Sequence, residues 1–343
     1  RQKASPKFGR GSVADAGTVF DSVGVREIGT DARVKARTLM RRFGATSSLS
    51  DRILGLMQET SSQSGVLGGL EVAIGTEQSG VLGGDIVVAE EDENGDVEFL
   101  VIDTQDHGEN AVPAASLFHL LKIRFESDFA NGRFVLRDGE TRMTGLLRYV
   151  HEKMKGDGFR DGAIFSYSTG KISKGKMVRF TSNIQQAYLG YNLDTGAVRE
   201  IRGEGALVGS HQKLDTYGDT KEDAIGEREI LLLVTDGVTE ATNSQNKMFE
   251  KGGVKRVIDA LVEAKRSSGE GDPSAVEVRN VLLGAVKEFS EGSADIDDVS
   301  VGVVVPLSSQ VGGDVSLDLD SFMKEVTEGD KLGSRTQGDV YPY

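Results

Sequence analysis

Four aspartates stand at the edges of apolar, β-branched runs: Asp85 just before "IVVAEE", Asp103 just after "VEFLVI", Asp236 just after "ILLLVT", and Asp297 just before "VSVGVVV". Two of them start a strand and two end one. If the first two runs form a hairpin and the last two pair antiparallel, each start lies beside an end, and all four carboxylates gather at one rim. Carboxylates held that close repel one another by several kcal/mol unless a cation lies between them. Ligation by oxygen alone, with retained waters, suits Mg²⁺ or Mn²⁺. Two such ions about 3.5–4 Å apart acidify a bridging water and clamp a phosphoryl group for in-line attack. Taken singly, each aspartate has an ordinary alternative, because Asp often caps the loop beside a strand.

The first pair can be tested against hairpin chemistry, since Glu93-Asn94-Gly95 closes the turn in two ways. A two-residue Asn94-Gly95 turn pairs Glu93 with Asp96, which sets Asp85 opposite Thr104 and puts Asp103 on the other face. A three-residue loop with Gly95 left-handed pairs Asp92 with Asp96, and Asp85 then faces Asp103 directly. A shared metal centre requires the second register.

Composition narrows the chemistry further. The 343 residues carry 54 acidic and 40 basic side chains, a net charge of −14, which disfavours nucleic acid and anionic lipid as partners. There is no cysteine, so disulfides, thiolate zinc sites and a cysteine nucleophile are excluded. The four histidines, His107, His119, His151 and His211, form no H-x-x-x-H pair. No G-x-x-x-x-G-K-[ST] loop is present, and "GGD" at Gly83-Gly84-Asp85 lacks the glutamate and phenylalanine of a cyclase signature. With no apolar run near the ~20 residues of a spanning helix and no signal peptide visible, a cytoplasmic location is expected, with any tether lying upstream.

The elements that must hold these residues follow from the patterning. Residues 1–50 read as an N-terminal linker or regulatory segment with a short helix around Arg33 to Phe43, and 51–66 as a switch-helix candidate capped by Ser50-Asp51. The Ser/Gly-rich stretch from Ser61 to Gly69 should end that helix. Strands are expected at Leu70–Gly75, Ile86–Glu91, Val97–Ile102, in "AIFSYS", "GKMVRFTS" and "VREIRG", at Ile230–Thr235 and at Val299–Val305. Helices are expected at Ala114–Phe129, Met143–Met154, Val254–Arg266 and Pro273–Phe289. Residues 67–306 make one catalytic domain, and 307–343 an acidic tail. Strands followed by helices without regular alternation argue for an α+β fold, a four-layer α-β-β-α sandwich with two antiparallel sheets.

The word "LLLVTDGVTEATNSQNKMF" (Leu231 to Phe249) resembles a signature of bacterial PPM-type metal-dependent Ser/Thr phosphatases, in the SpoIIE-like branch. "EVAIGTEQSGVLGGD", "FLVIDTQDHGENAVPAAS", "VRFTSNIQQAYLGYNLDTG" and "DIDDVSVGVVV" follow in the order of that family, covering about Ile53 to Val305. The resemblance implies that Asp103 bridges two Mn²⁺ or Mg²⁺ ions, with the carbonyl of Thr104 as a further ligand. It implies that Asp236 and Asp297 complete the first ion's shell, with Asp298 as the alternative to Asp297, and that Asp85 lies in the outer or water-mediated shell. The implied reaction is direct attack of water on phosphorus, without a phosphoenzyme. The implied substrate is phosphoserine or phosphothreonine on a regulatory protein such as an anti-sigma-factor antagonist, and a second copy of the chain is a candidate partner. His107 is a candidate general acid for the leaving oxygen; a plain loop histidine is the alternative. Two departures stand out: the loop after Asp103 is about two residues longer, and Asn183-Ile184-Gln185-Gln186 replaces "G-H-P-P"; the arginine that eukaryotic relatives carry just before the first aspartate is missing before Asp85, as is common in the bacterial branch. The longer loop motivates the competing expectation of a catalytically weak or inactive regulator that binds a partner.

Overall fold

The computed structural model describes residues 30–59, 62–77, 84–104, 110–156, 165–173, 177–182, 188–201, 207–209, 221–291, 293 and 297–307. The strands are β1 (Ser62–Leu67), β2 (Leu70–Glu77), β3 (Ile86–Glu91), β4 (Val97–Thr104), β5 (Phe165–Ser173), β6 (Met177–Ser182), β7 (Tyr188–Asn192), β8 (Val198–Ile201), β9 (Lys221–Ala224), β10 (Glu229–Val234) and β11 (Val299–Pro306). They form two antiparallel sheets, ordered β1-β2-β11-β10-β7-β8 and β3-β4-β5-β6-β9. The helices are α1 (Thr30–Arg42), α2 (Ser47–Glu59), α3 (Val112–Ala130), α4 (Arg142–Gly156), α5 (Asp236–Thr239), α6 (Glu250–Ser268) and α7 (Ala275–Phe289).

Three hydrophobic clusters define four layers. Leu100, Ile102, Phe165 and Tyr167 on one face of the second sheet pack against α1 to α4. Ile230, Leu232, Val301 and Val303 on one face of the first sheet pack against α6 and α7. The remaining faces meet: Phe99 and Val101 lie against Leu231, Leu233 and Val304, and Phe99 touches Tyr188 edge-on at 5.1 Å between ring centroids. Both sheets are therefore covered on both sides. This is why β10 reads as an unbroken apolar run rather than an alternating one. The α-β-β-α sandwich expected from the patterning is the observed architecture.

The hairpin between β3 and β4 takes the three-residue loop. Gly95 has φ +78°, Asp92 N–H donates to Asp96 O at 2.8 Å, and Ile86 pairs with Ile102. Continued by one pair, that register sets Asp85 against Asp103. The last two strands pair antiparallel as well, with Leu231 opposite Val304 and Val234 opposite Val301.

Local structure differs from expectation at four points. The cap of α2 is Thr46, whose Oγ1 accepts from Leu49 N–H at 3.2 Å; Ser50 lies inside the helix and its hydroxyl donates to Thr46 O. The Ser/Gly-rich stretch after α2 holds a strand, β1, folded back on β2 through Gly68 and Gly69, both with positive φ. The cap of α7 is a reciprocal box between Ser274 and Glu277, one residue beyond Pro273. In the segment expected to be linker or regulatory, α1 lies on the outer helical layer, with Ala32, Ala36 and Met40 buried in the same core cluster as α3.

Candidate metal centre

Each candidate aspartate owes its place to the strand beside it. Side chains alternate along a strand, so Asp103 shares the face of Phe99 and Val101 that looks across to the other sheet. Its cross-strand neighbour on β5 is Ser166, and the following Thr104 is buried opposite Phe165. Asp85 faces Asp103 from the β3 side through the three-residue hairpin. Across the gap, β10 ends in Thr235, and Asp236 opens α5, whose last backbone bond runs from Glu240 N–H to Asp236 O at 2.7 Å. Gly237 has no room for a side chain: a Cβ there would lie 1.9 Å from the carbonyl oxygen of Asp298. The glycine lets α5 press against the start of β11, at the backbone of Asp298.

The carboxylates sense one another strongly. Burial first, then Asp236, Asp297, Asp298 and Glu240, pushes Asp103 up to about 8. Burial, and next the charge of Asp103, holds Asp85 well above the usual carboxylate range. Asp236 is raised by burial and by Glu240. The structure thus brings Asp85, Asp103, Asp236 and Asp297 to one rim between the sheets. Asp298 joins them, buried, with its Oδ2 accepting from Gly84 N–H at 2.6 Å. Asp297 is exposed, and its Oδ1 accepts from Asp298 N–H at 2.7 Å. His107 lies outside the described residues. Among the described residues no three His, Asp or Glu side chains are placed closely enough to hold a metal ion as they stand.

Whether the donors fit a divalent cation is tested by Asp85. As a residue it is only half-buried, yet its Oδ2 is inaccessible and has no hydrogen-bond partner among the described residues. A buried carboxylate oxygen without a donor, beside further carboxylates of raised proton affinity, is an arrangement that a hard cation would satisfy. In donor chemistry, carboxylate oxygen alone, the residues suit Mg²⁺ or Mn²⁺. Two members of this neighbourhood were not singled out from sequence. Glu240 follows Asp236 by four positions, the spacing that puts two side chains on one helix face. Thr235 shares the strand parity of Leu231 and Leu233, so alternation alone directs it between the sheets.

The fold has counterparts among solved structures. The SiaA-PP2C domain of Pseudomonas aeruginosa superposes with a TM-score of 0.51 at 14% identity, over 81% of this chain and 96% of that one. The RsbU and RsbW domains of a Mycobacterium tuberculosis protein give 0.49 at 14% identity, over 74% and 69%. A serine/threonine phosphatase of S. agalactiae gives 0.47 at 12%, over 69% and 100%. No family model matches the sequence, and no curated protein does. The chain has the fold of a bacterial PP2C, or PPM-type, phosphatase domain, the fold that its sequence words resemble. A shared fold does not carry activity with it, which rests on the site.

Proposed function

We propose that this chain is a metal-dependent protein serine/threonine phosphatase of the SpoIIE-like type. The observation that supports it most is the convergence of Asp85, Asp103, Asp236 and Asp297 on one rim, with Asp103 pushed up to about 8 by burial and by its acidic neighbours. In this reading Asp103, the Thr104 carbonyl, Asp236 and Asp297 would hold the metal directly, and Asp85 would hold it in the outer or water-mediated shell. When bound, the pair of Mn²⁺ or Mg²⁺ ions would neutralise phosphoryl charge and supply a water acidic enough to attack phosphorus directly. The chain's own residues do the rest. The two sheets set the spacing of the carboxylates, Gly237 holds Asp236 against β11, and His107 is the candidate to protonate the leaving serine or threonine oxygen, with a plain loop histidine as the alternative.

The substrate would be a phosphorylated regulatory protein, such as an anti-sigma-factor antagonist, in the cytoplasm, with a second copy of the chain or an upstream sensor acting through α2 as a switch. Among the described residues no helix is long and apolar enough to cross a membrane. The test is phosphopeptide hydrolysis with Mn²⁺ by wild type and by Asp236→Asn. A rate loss well beyond about tenfold without unfolding is expected; equal rates would refute the assigned centre.

One observation favours a second reading, a PPM-fold regulator that binds a partner without turnover. The loop after Asp103 is longer than in the family pattern that the chain resembles, and it follows directly on the central aspartate of the proposed centre. Calorimetric titration with Mn²⁺ alongside phosphopeptide turnover separates the two, since Mn²⁺ binding without turnover selects the regulator.

A further inference from the structure

Asp85 reaches its position without regular structure of its own, as the residue before β3. Two contacts from the opposite sheet hold it. The Gly84 N–H donates to Asp298 Oδ2 at 2.6 Å, and the Asp85 carboxylate accepts a hydrogen bond from the Thr235 side chain. Thr235 is fully buried, so water does not compete for its hydroxyl. That hydroxyl already accepts the Ser300 backbone N–H at 3.1 Å, while the Thr235 N–H donates to Ser300 O at 3.2 Å. A threonine hydroxyl has one proton to give. With Ser300 on its lone pair, the proton is directed at Asp85, and the β-branched side chain has little rotameric freedom to turn away. An independent observation completes the geometry: Asp85 Oδ2 is buried and has no partner among the described residues.

We infer that Thr235 is a positioning residue, whose hydroxyl commits one oxygen of Asp85 and leaves Oδ2 as the oxygen presented to the cation or to one of its waters. The inference rests on the proposed metal centre. It also gives Thr235 a role that packing does not require, because valine would fill the same space. Groups that orient a metal-binding carboxylate from behind typically change metal affinity by about tenfold to hundredfold when removed.

The test is Mn²⁺ affinity by calorimetric titration, with metal-free melting as the check on folding. Thr235→Val is expected to bind Mn²⁺ about tenfold or more weakly, and Thr235→Ser, which keeps the hydroxyl, to bind nearly as wild type does. Ser300→Ala removes a different buried hydroxyl, the one 2.9 Å from Thr76 Oγ1, and keeps the backbone N–H that faces Thr235. It is expected to lower the melting temperature without weakening Mn²⁺ binding. Should Thr235→Val not fold, Thr235→Ala carries the same expectation, since its smaller side chain admits a water to the Ser300 N–H. Wild-type affinity in a folded Thr235→Val or Thr235→Ala overturns the inference and leaves the centre standing. A loss in Ser300→Ala as large as in Thr235→Val also overturns it, because the whole hydroxyl network would then be at work. Absence of Mn²⁺ binding by the wild type overturns the centre itself, and this inference with it.

Discussion

Replacing Asp103 by asparagine should stabilise the protein in the absence of metal and abolish its response to metal. Asp103 has an ordinary value of 3.8 and is pushed up to about 8 by burial, then by Asp236, Asp297, Asp298 and Glu240. A carboxylate with a raised folded-state pKa binds its proton more tightly folded than unfolded. Its effect on stability is therefore nil below about pH 4 and grows unfavourable as pH rises. The slope is about 1.4 kcal/mol per pH unit until the folded pKa near 8 is passed. At pH 7 the full shift corresponds to about 4 kcal/mol, and access of water to a half-buried group brings this to about 2–4 kcal/mol. The asparagine side chain has no charge to bury. In a chelator, Asp103→Asn should melt above wild type at pH 7–8 by about 5 °C or more, given ~2–4 °C per kcal/mol for a domain of this size. The two should converge toward pH 4–5. Added Mn²⁺ should raise the melting temperature of wild type alone. The assay is differential scanning fluorimetry from pH 5 to 8.5, with chelator and with Mn²⁺. A chelated wild type whose melting temperature does not fall with pH, or an Asp103→Asn variant less stable than wild type at pH 8, would refute the reasoning.

Three further outcomes follow from the geometry. Gly237→Ala places a methyl group 1.9 Å from the Asp298 carbonyl oxygen, backbone against backbone, so α5 must move away from β11. Urea unfolding should show a loss of about 1–3 kcal/mol, and Mn²⁺ binding should weaken with it. Asp298→Asn should keep Mn²⁺ affinity, because the amide oxygen can still accept from Gly84 N–H, whereas Asp297→Asn should reduce it strongly; titration of the pair reads which aspartate faces the metal. Met40 is fully buried in the outer helical layer, and Met40→Ala should cost about 2–5 kcal/mol in chemical denaturation if α1 is part of the folded unit.

Much of this was open to reading along the chain. Of the strands flanking the aspartates, β4, β10 and β11 announce themselves because each is buried on both faces, as Leu231 and Leu232 are in different clusters on opposite sides of β10. The helices at α3, α4, α6 and α7 carry enough periodic apolar residues to be placed within a few positions. What stayed hidden lacks a local signal. β1 is made of Ser62 to Leu67, a serine- and glycine-containing run that becomes a strand only because β2 offers it a ladder. The burial of Ala32, Ala36 and Met40 needs α3 as a partner, and alanine on a basic helix gives no hint of that surface. Strand parity directs Thr235 between the sheets and helix spacing puts Glu240 beside Asp236, but that either meets carboxylates from the other sheet is decided by the tertiary structure.

The pairing of Asp85 with Asp103 divides the two sources of information most sharply. The sequence by itself determined that two aspartates bracket two strands joined by Glu93-Asn94-Gly95, and that one of only two registers could bring them together. It did not choose between the registers, since both turns suit Asn-Gly. Local bonds within the loop and one tertiary contact together favour the second register. The Asp92 carboxylate accepts from Asn94 N–H at 2.8 Å and Asp96 N–H at 3.0 Å, and Lys171 of β5 reaches over to it at 2.6 Å. Lys171 also lies 3.1 Å from Asp96, so one cation from the neighbouring strand binds both aspartates that close the three-residue loop. A charge delivered from almost eighty residues away along the chain favours that loop, and with it the face on which Asp103 meets Asp85.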